Sequence, residues 1–233
     1  MVDDSIAIIL PTVHEAENLR ALIPAIAALG LRDYHVLIVD DDSRDGTAEY
    51  INSKSKEGVP TLCFTRSTHG YGSAVLDGLN LASVWWSPKY YITMDADLQQ
   101  DPKYIPSLVA KADDGNDVVV ASKYRGGRVN YSMFRTLMSY GARFITNNLL
   151  GISVSDTTSA YRLYNKKAVS KLLNARSAPN DYSFMTWALY RVKRMKMGEI
   201  SYKFKPRIHG SSKLRKIEIL RYLKTALVLR TTV

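Results

Sequence analysis

Along the first half of the chain, short apolar runs alternate with stretches of helical spacing, and several runs open onto carboxylates. No other feature of the sequence limits the possible folds so strongly. Runs at residues 5–11, 35–40, 61–65, 90–95 and 117–121 are rich in Ile and Val, are bounded by turn or charged residues, and read as buried strands. Four of them precede helices. Residues 15–29 carry apolar side chains at helical spacing, 45–53 follow a capping residue, 72–84 place small and apolar residues in steps of three and four, and 102–112 open on proline. Strand, helix, strand in this repetition predicts an α/β chain with a mostly parallel sheet and helices on both faces. In such sheets ligands bind beyond the carboxyl ends of the strands.

The second half is less regular. Arg125-Gly126-Gly127-Arg128 reads as a basic loop, 133–150 as a long helix, 160–165 and 199–204 as strands, and 166–173 and 181–192 as helices. Residues 215–230 place Ile217, Leu220, Leu223 and Leu227 on one stripe with Lys216, Arg221, Lys224 and Arg230 elsewhere. Such a basic amphipathic helix suits an anionic bilayer surface or the protein's own core. No Pro-rich or Ser-rich linker and no internal repeat divides the chain, so it reads as one body over 1–214, in halves 1–116 and 117–214, followed by an interfacial helix over 215–233. With 233 residues, 46% of them apolar, it has the material for a substantial core.

Charge divides at the same place. The formal net charge is +10. Residues 1–116 hold 9 basic and 17 acidic residues, a net of −8, and residues 117–233 hold 23 and 5, a net of +18. Either the second half is a solvated basic surface or it meets a polyanion or an anionic membrane. The single cysteine, Cys63, excludes an internal disulfide and a cysteine zinc cage. The longest stretch without Asp, Glu, Lys or Arg, 144–155, is too short to span a bilayer, which takes about 20 apolar residues. The opening Met1-Val2-Asp3-Asp4-Ser5 lacks the basic start of a signal peptide, so a cytosolic location is expected.

Three strand ends carry polar chemistry: Pro11-Thr12-Val13-His14-Glu15, Asp40-Asp41-Asp42-Ser43 and Asp95-Ala96-Asp97-Leu98-Gln99. Carboxylates brought to one edge repel unless something positive is bound, and a divalent cation meets that need. Asp95 and Asp97 offer hard oxygen ligands suited to Mg²⁺ or Mn²⁺, ions that commonly keep phosphate oxygens as further ligands. Gly70 and Gly72 open a helix whose first N–H groups are expected to be free for a phosphate. They do not complete a dinucleotide fingerprint, because Val75 stands where its third glycine belongs. His14, His35, His69 and His209 show no zinc spacing.

Together these motifs resemble glycosyltransferase family 2, with its Rossmann-like GT-A fold, and within it the branch that acts on polyprenyl phosphates. The resemblance covers nearly the whole chain. It is carried by the three strand ends above, by Gly70-Tyr71-Gly72-Ser73-Ala74, by Phe134-Arg135 through Ser139-Tyr140-Gly141-Ala142, by Ser155-Asp156 through Tyr161-Arg162-Leu163-Tyr164, and by Arg207-Ile208-His209-Gly210-Ser211-Ser212-Lys213. It implies that Pro11, Val13, Glu15, Val39 and Asp41 surround the base and ribose. It further implies that Asp95, Ala96, Asp97 and Gln99 hold metal and diphosphate, with Asp95, Asp97 and Gln99 as metal ligands. Lys123, Arg207 and Lys213 are implied to contact phosphates of the nucleotide sugar. Lys123, Arg135 and Ser139 are implied at the acceptor phosphate, with Asp97, Arg135 and Arg207 as the catalytic set. Three positions depart from the family's usual residues: Val13 replaces Tyr, Lys123 replaces Arg, and His209 lies in a variable basic loop. The first removes aromatic support of the base and the second exchanges a planar fork for a point charge.

The activity implied is metal-dependent transfer of mannose from GDP-mannose to dolichyl or another polyprenyl phosphate, with polyprenyl-phosphate glucose formation from UDP-glucose as the alternative. A lipid monophosphate has a second pKa of about 6 and is largely a dianion at neutral pH, so it attacks the anomeric carbon without a general base. Single displacement with inversion follows. The implied partners are the nucleotide sugar, the lipid phosphate, the cytosolic face of a membrane met peripherally, and an anchoring subunit. A nucleic-acid partner would account for the basic half but leaves the acidic strand ends without a role.

Overall fold

In the computed structural model, residues 5–123, 150–175, 177–205, 225 and 229 are described. The strands are β1 (Ile6–Thr12), β2 (Tyr34–Asp40), β3 (Thr61–Thr65), β4 (Tyr90–Thr93), β5 (Val118–Ser122), β6 (Arg162–Asn165) and β7 (Met197–Ser201). The helices are α1 (Ala16–Ala27), α2 (Thr47–Lys56), α3 (Tyr71–Trp85), α4 (Ile105–Asp113), α5 (Lys166–Leu173) and α6 (Phe184–Arg191), with a 3₁₀ turn at Pro102–Tyr104.

The strands form one sheet in the order β3-β2-β1-β4-β6-β5-β7. All neighbours are parallel except β6, which runs antiparallel to both β4 and β5. Alternation along β1 divides the core in two. Ile6, Ile8 and Leu10 face a cluster with Leu19, Leu22, Ile23 and Ile26 of α1 and Ile105, Leu108 and Val109 of α4. Ala7 and Ile9 face the other cluster, with Ala74, Val75 and Leu79 of α3 and Trp187, Ala188 and Leu189 of α6. Successive side chains of a strand point to opposite faces, so a run that is apolar at every position belongs in a sheet covered on both sides.

Local chemistry fixes several boundaries. Asp45 accepts from the Thr47 N–H (3.1 Å) and hydroxyl (2.7 Å), so α2 begins at Thr47 and not at Asp45 as expected. Asp181 accepts likewise from the Ser183 N–H (2.8 Å), which makes a turn of the first residues of the predicted 181–192 helix and delays α6 to Phe184. The expected 199–204 strand is shifted to Met197–Ser201 by its parallel register with β5, Val118 opposite Met197. Tyr202 instead joins an aromatic cluster with Tyr104, Tyr161 and Phe204.

The predicted 133–150 helix lies outside the described residues except Leu150. Of the predicted 215–230 helix, only Thr225 and Leu229 are described. Both are helical; the Thr225 hydroxyl donates to Ser183 Oγ (3.0 Å) and Leu229 is buried in the α3/α6 core. Neither belongs to the predicted Ile217, Leu220, Leu223, Leu227 stripe. Among the described residues no helix is long and apolar enough to cross a membrane.

Candidate active site

The carboxyl ends of β1, β2 and β4 lie side by side, because Thr12 pairs with Asp40 and Ile9 with Thr93. The sequence-predicted residues Pro11, Val13, Glu15, Asp41, Asp95, Asp97 and Gln99 therefore share one edge. The four aspartates of the β2 segment do different work there. Asp40 is buried, and its oxygens accept from the Thr12 hydroxyl (3.1 Å) and from the Ser43 N–H (2.9 Å) and hydroxyl. It ties the end of β1 to the end of β2. Asp42 pairs at the surface with Arg44 (2.8 Å), which holds its carboxyl below the usual range. Asp45 accepts from Ala16 N–H (3.1 Å) at the start of α1. Burial would raise its pKa, but the donors from Thr47 and Ala16 prevail and lower it.

Asp41 is the centre of a second network. One oxygen accepts from Arg66 Nε (2.6 Å), the other from Gly70 N–H (2.8 Å). The Arg66 side chain, only 4% exposed, also donates to Asp77 (2.7 Å) and to the Gly70 carbonyl (2.7 Å). Arg66 thus stands as a counterion at this strand end, within an edge for which the repulsion argument had invoked a bound cation. The sequence reading passed over it, although it is a lone cation at the end of β3 in an acidic half.

The β4 end is built differently. Gln100, buried, clamps Asp95: its Oε1 accepts the Asp95 N–H (2.9 Å) and its Nε2 donates to Asp95 Oδ2 (2.8 Å). Asp97, also buried, accepts the Gln99 N–H (3.1 Å) across a turn in which Leu98 has φ +62°. Gln99 pairs with Lys205 in both directions, its Nε2 donating to the Lys205 carbonyl (3.2 Å) and its carbonyl accepting the Lys205 N–H (3.0 Å). Lys205 Nζ reaches Asp101 (2.8 Å). Burial would raise the Asp101 pKa; the Lys205 hydrogen bond and the Lys103 N–H more than offset it and lower it. The chain therefore enters the Arg207–Lys213 motif from a residue fastened to the Asp95–Gln99 loop. Tyr71 stands close enough to Asp95 to feel its charge, and burial first, with that charge second, pushes its phenol well up.

Other predicted residues are held in ways their sequence does not show, and one expectation, the free N–H groups opening α3, needs correction. The side chains of Val39 and Ala96 are buried in the two cores, so only their main chains face the edge. The N–H groups opening α3 are not free for a phosphate: those of Gly72 and Ser73 donate to the backbone carbonyl (3.3 Å) and side-chain oxygen (3.0 Å) of Asn180. Lys123 Nζ lies 3.7 Å from the fully buried Asp156 and 5.7 Å from the Phe204 ring, so it is anchored within the fold. Glu15 accepts from Asn18 Nδ2 (2.6 Å). Arg135, Ser139, Arg207 and Lys213 lie outside the described residues.

As a cation site the β4 loop has a fitting donor set, two carboxylates and an amide oxygen. Among the described residues no group of three or more His, Cys, Asp or Glu converges as a metal site.

Known proteins resemble this chain in sequence and in fold. The model of glycosyl transferase family 2 matches residues 7–173. The dolichol-phosphate mannosyltransferase of Pyrococcus furiosus is 32% identical over 226 residues, 94% of this chain; the chain spans 62% of that protein's length. The polyprenol monophosphomannose synthase of Mycolicibacterium smegmatis is 30% identical over 191 residues, 77% of this chain and 70% of that one. Among solved structures, glucosyl-3-phosphoglycerate synthase from Mycobacterium tuberculosis with Mn²⁺, UDP-glucose and phosphoglyceric acid superimposes with a TM-score of 0.73, covering 98% of this chain and 80% of that one at 16% identity. Mannosyl-3-phosphoglycerate synthase from Rubrobacter xylanophilus gives 0.67, with 97% and 72% covered at 18% identity. These likenesses establish the GT-A fold.

Proposed function

The chain belongs to glycosyl transferase family 2, and from that premise we propose that it transfers mannose from GDP-mannose to dolichyl or another polyprenyl phosphate, with inversion and with a divalent cation. The observation that carries the reading is the loop after β4. Two carboxylates at the strand's carboxyl edge are held in place by Gln100 and by the Asp97 turn, in a chain two of whose relatives are named for mannose transfer to dolichol phosphate and to polyprenol.

Asp95 and Asp97, with Gln99, would hold Mn²⁺ or Mg²⁺, which supplies positive charge to the departing diphosphate. The main chains at Pro11 and Val39, with Val13, Glu15 and Asp41, border the nucleoside end of the edge. Arg135, Ser139, Arg207 and Lys213 are assigned on sequence to the phosphates, where their charge keeps acceptor and leaving group from repelling each other. The Gln99–Lys205 pairing supports that assignment for Arg207, two residues further on. No base is required, since the acceptor phosphate is already ionised. The 1–214 body would work at the cytosolic face of a membrane, approached by the basic half and 215–233, alone or with an anchoring subunit.

The test incubates the full chain and a short polyprenyl phosphate with a panel of sugar nucleotides plus Mn²⁺ and reads lipid mass. A mannosyl-phosphate lipid from GDP-mannose is expected. A glucosyl product from UDP-glucose alone would replace the sugar and keep the reaction, and no product from any donor would sink the proposal.

A further inference from the structure

From the contacts of one surface asparagine we infer that Asn180, in the 117–214 half of the chain, is a positioning residue for the donor nucleotide. The inference rests on the transferase reading above. Asn180 lies 107 residues from Ser73 in sequence, yet it is fastened to the Gly70-Tyr71-Gly72 turn from three sides. Its Oδ1 accepts the Ser73 N–H (3.0 Å), its Nδ2 donates to the His69 carbonyl (2.8 Å), and its own carbonyl accepts the Gly72 N–H (3.3 Å). This is a helix N-cap supplied in trans, since α3 has no side-chain cap of its own.

The fit leaves no room for a side chain on the turn. A Cβ at Gly70 (φ +141°) would stand 2.2 Å from Asn180 Oδ1, and one at Gly72 would stand 2.0 Å from the Pro179 carbonyl. Tyr71, between the two glycines, stacks on Tyr182 at 5.2 Å between ring centroids. The turn in turn holds Asp41 through Gly70 N–H and Arg66 through the Gly70 carbonyl. Asn180 is thus two contacts from the carboxylate that borders the nucleoside end of the site, and it reaches that carboxylate through backbone groups only.

When a binding-competent turn loses its cap, its population falls, and apparent affinity falls by the same factor. Calorimetric titration of the full chain with GDP and with UDP, each with Mn²⁺, reads this directly. In Asn180→Ala the dissociation constant should rise about threefold to tenfold, the range expected from a lost N-cap. The donor KM should rise with it while kcat at saturating donor is kept; a merely structural role would lower the active fraction and kcat without moving KM.

Gly72→Ala separates the explanations from the other side. The methyl meets the Pro179 carbonyl whatever the turn does, so either role predicts a less stable protein, and a purely local role predicts that the folded variant binds as tightly as the wild type. The latch predicts weaker binding, because the new methyl displaces the Pro179–Asn180 segment. Should Asn180→Ala fail to fold, Asn180→Asp keeps the Ser73 bond, loses only the His69 bond, and should show the smaller loss. Wild-type binding with unchanged affinity in the variants overturns the inference alone. A wild-type chain that binds neither nucleotide overturns it together with the transferase reading.

Discussion

Replacing Arg66 with alanine tests whether the acidic edge is neutralised by the protein itself. The guanidinium is 4% exposed and its main partner, the Asp41 side chain, 11% exposed, whereas Asp77 is 46% exposed. Charge centres about 4 Å apart attract by roughly 4 kcal/mol at an effective dielectric of about 20. The half-exposed Asp77 adds under about 1 kcal/mol. Gly70 loses a donor to its carbonyl, a further 1 kcal/mol or so. Removing one partner of a buried pair leaves the other charge uncompensated, and the measured range for that change is about 3–5 kcal/mol. Against a total stability of about 5–15 kcal/mol this is a large fraction. For a chain of this length it lowers Tm by roughly 6–20 °C. Urea unfolding at neutral pH should show a reduced midpoint with an unchanged slope. The double variant with Asp41→Asn should recover part of the loss, with a coupling of about 1–3 kcal/mol. Arg66→Lys should fall between, because an ammonium cannot reach Asp41, Asp77 and the Gly70 carbonyl with one planar fork. A loss under about 1 kcal/mol for Arg66→Ala, or no coupling with Asp41, would refute the argument.

Asp97→Ala should keep the fold and abolish lipid glycosylation. It should also erase the stabilisation that a nucleoside diphosphate with Mn²⁺ gives the wild type, about 2.7 kcal/mol at a hundredfold excess over Kd; retained stabilisation would refute the metal assignment. Lys205→Met should destabilise the protein at neutral pH but not in acid. The Asp101 carboxyl is lowered in the fold, so its contribution is present above the unfolded pKa of about 3.9 and vanishes as pH falls through the folded value; an equal deficit at both pH values would contradict this. The Cys63 thiol is pushed up to about 11, by burial first and then by Asp40, Glu49 and Asp45 against the Thr65 hydrogen bond. Its alkylation near pH 8 should be about a hundredfold slower than that of an exposed thiol, and a reaction as fast as glutathione would be the contrary result.

Elements whose signal is local were legible in the sequence. Strands β1 to β3 and helices α1 to α5 fall within a few residues of the expected positions, because apolar period and capping residues act over one element. What failed depended on a partner elsewhere in the chain. The register of β7 is set by β5, and the antiparallel insertion of β6 between β4 and β5 leaves no mark on its own four residues. In the site, the Asp95-Ala96-Asp97 triplet was readable from its place at a strand end. The capping of Gly72 and Ser73 by Asn180 was not, since the acceptor lies more than 100 residues away. Nor could the sequence separate the side chain of Val39, which lies in the core, from its main chain, which lies at the edge.

The repulsion argument that first pointed to a cation has to be divided between the two acidic clusters. At the end of β2, each aspartate finds its donors inside the protein: Asp40 in Thr12 and Ser43, Asp41 in Arg66 and Gly70, Asp42 in Arg44, Asp45 in Ala16 and Thr47. That cluster would stand without any ion, so its existence is no evidence for one. After β4, the Gln100 amide and the Gln99 N–H orient Asp95 and Asp97 at the strand's carboxyl edge. The case for a cation therefore rests on Asp95 and Asp97 alone, and it makes a distinction that binding experiments can read. Chelation should remove nucleotide binding while leaving the β1–β2 edge, and with it most of the apo stability, unchanged.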